Sequence, residues 1–96
     1  MFYRVGKIKC QPGKADNVIE YFKSKEDFFS DTTGIISLSY FKSEPDVITG
    51  IAVWKSKEIL NDNVERVQSI MAGLTDFVTA PPEISEGDIE YQYNKK

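Results

Sequence analysis

No histidine occurs in the 96 residues, so proton transfer near neutral pH would fall to carboxylates, tyrosine, lysine or cysteine. Glu20, Asp27 and Glu65 lie on segments with helical periodicity, where such carboxylates are ordinarily solvated surface charges. Cys10 ends an alternating segment between Lys9 and Gln11. With no neighbouring base to form a thiolate, it reads as a small core residue rather than a nucleophile. No glycine-rich phosphate loop, nucleophile elbow or zinc-ligand spacing is present, and without an imidazole no metal site is expected. Trp54, the single tryptophan, closes an apolar run and precedes Ser56-Lys57-Glu58. It suits either a packing anchor between helix and sheet or a face on which a ligand ring stacks.

The elements that must position these residues follow from periodicity. Residues 2–10 alternate as a strand, with Phe2, Arg4, Gly6, Ile8 and Cys10 on one face, and Pro12-Gly13 stops it. Ala15, Val18, Ile19, Phe22 and Phe29 then recur at helical spacing over residues 14–29. Residues 35–42 and 47–54 predict two strands joined by a tight turn at Ser43-Glu44-Pro45-Asp46. Gly50 and Ala52 share a face with Ile48 and Trp54, leaving room for something large close to the backbone. Ser56 is placed to cap a short helix, and Asp62-Asn63-Val64-Glu65 has the spacing of a capping box for a second helix over 63–74. Alternation of Ile89, Tyr91 and Tyr93 predicts a last strand over 88–93.

This βαββαβ order with a central hairpin predicts an α+β, ferredoxin-like domain, an antiparallel sheet with helices on one face, spanning residues 1–96 as a single unit. The other sheet face would carry Tyr3, Val5 and part of the apolar Val47–Trp54 run. An exposed apolar face of that kind predicts a homodimer formed through the sheet faces.

Bulk properties narrow the partners. The net charge is −3 and the lysines are scattered singly, which argues against nucleic acid and anionic membrane surfaces. No apolar run reaches the length of a membrane span, and no signal peptide is recognised at the N-terminus. The single cysteine suits a reducing cytoplasm.

Arg4-Val5-Gly6 through Pro12-Gly13-Lys14, Gly34-Ile35-Ile36-Ser37-Leu38, Val53-Trp54-Lys55-Ser56-Lys57-Glu58 and Ala80-Pro81-Pro82-Glu83 together resemble the antibiotic-biosynthesis-monooxygenase-like domains, in the order that family shows them. The resemblance covers nearly the whole chain. It implies a dimeric α+β barrel whose protomers hold a pocket between helices and sheet. It also implies a cofactor-independent monooxygenase acting on an aromatic or quinol-like substrate, or a non-catalytic ligand-binding or regulatory homodimer. The haem-degrading branch of the family uses an asparagine, a tryptophan and a histidine. Here Gly6 stands where that asparagine would be, Asn63 about where the tryptophan would be, and histidine is missing, so haem degradation is not expected. A cofactor-independent oxygenase needs a dry pocket and a donor for a substrate anion. Within the resemblance, Arg4 is the candidate for that donor, and Asn61 or Asn63 for a hydrogen bond to a substrate carbonyl. Phe22, Tyr40, Trp54 and Met71 would form walls around a small aromatic ligand, with space supplied by Gly6. No cofactor is called for.

Overall fold

A computed structural model describes residues 1–96. Strand β1 (Phe2–Lys9) leads into helices α1 (Ala15–Lys23) and α2 (Glu26–Ser30), followed by β2 (Ile35–Glu44) and β3 (Val47–Trp54). Helices α3 (Lys57–Asp62) and α4 (Val64–Ala72), a 3-10 turn at Thr75–Phe77 and β4 (Glu83–Asp88) complete the chain. The four strands form one antiparallel sheet in the order β2-β3-β1-β4. This is the ferredoxin-like α+β plan that the order of elements predicts, with each helical stretch divided in two.

The divisions have local causes. The Ser24 hydroxyl donates to the Tyr21 carbonyl at 2.6 Å, drawing the backbone into a local alternative to the helix ladder. The expected helix over 14–29 therefore stops at Lys23 and restarts at Glu26. At the second break the capping box does not form. Asn63, not Asp62, leads α4, and its amide turns back to donate to the Ile59 carbonyl at 2.8 Å. The cap at Ser56 does form: its hydroxyl accepts from the Ile59 N–H at 3.2 Å, satisfying one orphan donor of α3.

Strand registers decide which side chains share a face. Arg4 lies between Ala52 of β3 and Glu86 of β4, and Gly6 between Gly50 and Ile84. A bulge between Ile35 and Ser37 sets two steps of β2 against one of β3. Ile35 therefore joins Leu38 and Tyr40 on the helix side, and Ile36 is turned outward with 48% of its surface exposed. A bulge switches side-chain parity in this way, so simple alternation along β2 breaks at its start. Opposite Gly50, the missing side chain leaves space filled by the Tyr40 ring.

The last strand lies earlier than its alternation suggests. Glu83–Asp88 pairs with Lys7 to Phe2, and the Ile89 N–H bonds the Met1 carbonyl at 3.1 Å. Residues 89–96 lie outside the sheet, with Tyr91 and Tyr93 exposed.

Apolar packing between helices and sheet divides into two clusters. Ile8, Cys10, Ala15, Val18, Phe22, Ile48, Ile70 and Leu74 form one; Phe2, Trp54 and Leu60 form the other. Each fully buried Leu or Ile stabilises the fold by about 1.5–3 kcal/mol. On the opposite sheet face Tyr3, Val5, Val47 and Ile51 are half-buried and Phe41 is half-exposed, with no layer of this chain over them.

Candidate functional site

Between the two clusters the helices do not close fully on the sheet. A cavity of about 70 Å³ is lined by thirteen residues, ten of them hydrophobic, among them Ile35, Leu38, Tyr40, Ala52, Trp54, Val67 and Met71. At about 30 Å³ per water, that volume is room for about two waters. A second cavity of about 50 Å³ shares Arg4, Tyr40, Ala52 and Met71 with the first and adds Gly6, Ile8, Gly50 and Ile84. Of the three larger hollows, one lies beside Pro81 and Pro82 and two lie beside Glu26 and Phe29; all three are surface grooves.

The wall residues expected from the sequence distribute unevenly. Trp54, Tyr40 and Met71 line the first cavity; Gly6 lines only the second. Phe22 is buried in the filled cluster and lines neither, bordering instead one of the surface grooves; it stacks on Tyr40 with ring centroids 3.9 Å apart and planes 9° from parallel. It thereby fixes the Tyr40 ring that does face the cavity. Asn61 is exposed on α3, Asn63 is spent on the Ile59 and Thr33 carbonyls, and neither lines a cavity.

Two guanidinium groups reach the first cavity. Arg4 is held by Glu86 at 3.0 Å, a partly exposed ion pair. Arg66 is held by neutral acceptors. Its Nε and Nη2 donate to the Thr32 hydroxyl at 3.2 and 3.1 Å, and Nη2 also donates to the Phe28 carbonyl at 3.3 Å. The Thr32 hydroxyl donates to that same carbonyl at 2.8 Å, which leaves its lone pairs for Arg66. The guanidinium also lies 4.2 Å above the centre of the Phe28 ring, a favourable cation–π position. Thr32 is itself buried. None of the chain's four ion pairs includes Arg66. Arg66, Phe28 and Thr32 carry no sequence signature of a site; a lone arginine on a helix and a threonine in a loop look like surface residues.

Two further groups have unusual surroundings. Trp54 is 1% exposed, and its indole Nε1 is the one buried side-chain nitrogen or oxygen without a hydrogen-bond partner. An unpaired buried donor costs about 1–3 kcal/mol. Burial pushes the Tyr40 hydroxyl up to about 12, against a smaller opposing pull from Arg4, so near neutral pH it is an un-ionised donor. Cys10, by contrast, is buried in the filled cluster, where burial and the nearby Asp46 push its thiol up while the backbone bond to Ile48 pulls it down. It lines neither cavity.

Comparison with known proteins places this architecture. The fold is that of the antibiotic biosynthesis monooxygenases. The monooxygenase of the ActVA-Orf6 gene of Streptomyces coelicolor, solved with nanaomycin D, superposes with a TM-score of 0.84 at 16% identity over 99% of this chain and 92% of its own. SnoaB from Streptomyces nogalater, a cofactor-independent oxygenase, gives 0.79 at 13% identity, covering 98% and 97%. A Nitrosomonas europaea protein of unknown function gives 0.81 at 11% identity, covering 99% and 94%. No family profile matches the sequence, and no curated protein matches it. No helix is long and apolar enough to cross a membrane.

Proposed function

We propose that the protein is a monooxygenase of the antibiotic-biosynthesis-monooxygenase-like family, oxidising an aromatic or quinol-like substrate without a cofactor. The observation that carries this reading is the mainly apolar cavity between helices and sheet with two guanidinium groups in its wall. The likeness in fold to two oxygenases supports it.

The chemistry needs little from the protein. A ring CH2 made acidic by an adjacent carbonyl loses a proton to the solvent before the ring is enclosed, and its conjugate carbanion adds dioxygen to form a peroxide anion. Protonation and loss of water then leave a new C=O, so one substrate molecule and one O2 give one ketone and one H2O, with all electrons supplied by the substrate. The cavity excludes water, Arg4 stabilises the enolate oxygen, and the neutral Tyr40 hydroxyl donates to the same charge. Met71, an unbranched and adaptable side chain lining both cavities, lets them merge around a larger ring.

A second copy covers the Tyr3, Val5, Ile51 and Phe41 face, making the functional unit a homodimer in a reducing cytoplasm. Sedimentation should give a dimer at micromolar concentration; a stable monomer there rules this out.

An oxygen electrode with purified protein and a panel of aromatic quinols tests the activity. Expected is uptake above the protein-free rate that survives chelators and falls at least tenfold in Arg4→Ala. No uptake with any member, alongside binding, would instead support a ligand-binding or regulatory dimer. That second reading is favoured by the wall itself, which contains no carboxylate or other base.

A further inference from the structure

Two donors on residues that line the first cavity lack protein partners. Three of the five guanidinium N–H groups of Arg66 are used by Thr32 and Phe28, which leaves the two on Nη1. The Trp54 indole N–H is wholly unpaired. Both residues line the same cavity. Arg66 is also a cation without a carboxylate, fixed by the buried Thr32 and by the Phe28 ring.

Arg66 is partly buried, and a partly desolvated charge among neutral groups gains from an anion that joins it. Arg4 does not fill the same role, because Glu86 already balances it. An un-ionised ligand could satisfy the indole but would leave the Arg66 charge uncompensated. A ligand with one charged oxygen would answer one donor. A carboxylate has two coplanar oxygens sharing one negative charge, enough for both.

We propose that this cavity recognises a ring-bearing carboxylate, with one oxygen accepting from Arg66 Nη1 and the other from Trp54 Nε1. The inference rests on the reading of the cavity as a substrate site and names the class of substrate it takes: an aromatic acid rather than a neutral aromatic. Arg66 is the residue that sets the preference for charge, and Trp54 reports occupancy.

Benzoate and benzamide are nearly isosteric and differ in charge, and the single tryptophan gives one indole N–H resonance. Titrating isotope-labelled full-length protein with each should show benzoate binding at least tenfold more tightly than benzamide. Benzoate should also move the indole N–H peak downfield as it gains an acceptor. Arg66→Gln should bring the two affinities together, and Arg66→Lys should restore part of the difference. Equal affinity of the wild-type protein for both probes overturns the proposal, a result that needs no variant to fold. Persistence of the preference in folded Arg66→Gln, or an indole peak unmoved at saturation, overturns it too. Oxygen uptake with neutral quinols but no benzoate preference removes this inference and leaves the oxygenase reading intact. Benzoate preference without oxygen uptake from any quinol or aromatic acid removes the oxygenase reading and leaves the carboxylate site.

Discussion

The two ends of the layer between helices and sheet are built from similar materials and finished differently. At the Ile8–Leu74 end, Ile8, Val18, Ile48 and Leu74 are almost wholly buried against one another. At the Trp54 end, three buried residues are surrounded by partly buried ones, and the gap is lined by Arg66, Thr32 and an indole N–H without a partner. A well-packed apolar end contributes stability and has no polar group left to offer. The hollow end gives up some of that stability and retains donors for a ligand. The difference teaches that buried area locates the fold's support, whereas unpaired polar groups locate its chemistry.

Substitutions should separate the two ends. Leu74→Ala opens a void in the filled end and should cost about 2–5 kcal/mol in urea-induced unfolding, with benzoate affinity unchanged. Val67→Ala, at the wall of an existing cavity, should cost closer to about 1 kcal/mol yet alter affinity. If the two variants lose equal stability, the contrast between the ends does not hold.

Tyr40 stands at the boundary, stacked on Phe22 and facing the cavity. Its hydroxyl is raised from the usual 10 to about 12 by burial. Below pH 10 both folded and unfolded chains keep the proton; above it the unfolded chain releases it first. Stability should therefore fall as pH rises through that window, by at most about 2–3 kcal/mol. Tyr40→Phe should remove this component, measured by denaturant titrations at pH 9 and pH 11. An unchanged pH dependence in Tyr40→Phe would mean that the ring is not buried as described.

A smaller effect belongs to the junction before the hollow end. Ser56→Ala removes the cap on α3, which carries Leu60 of that cluster, and should cost about 1 kcal/mol. A loss below a few tenths would show that α3 is held by packing alone.

How much of this could be read in the sequence follows from what each residue's neighbours in the chain reveal. The βαββαβ order, the Ser56 cap and the room beside Gly50 were legible because periodicity, capping and missing side chains are local signals. The bulge at Ile36, the stop at Ser24 and the early final strand were not, since they depend on hydrogen bonds across the sheet or back along a helix. For the site, Trp54, Tyr40 and Met71 were legible as apolar residues on the face that helices cover. Phe22 shares that pattern yet is buried beneath Tyr40. The role of Arg66 was hidden, because what sets it apart is not its type but the absence of a carboxylate beside it and the presence of Thr32 and Phe28, which come from 34 and 38 residues away. Arg4, the cation that strand alternation does point to, meets Glu86 only once β4 is paired.

The most direct test is a crystal structure of the protein grown or soaked with benzoate. The account predicts the ring between Leu38, Ala52 and Val67, with carboxylate oxygens within hydrogen-bond distance of Arg66 Nη1 and Trp54 Nε1, and no benzoate at the Ile8–Leu74 end. Benzoate absent from this cavity at saturating concentration, or bound there with its carboxylate turned away from Arg66, would contradict it.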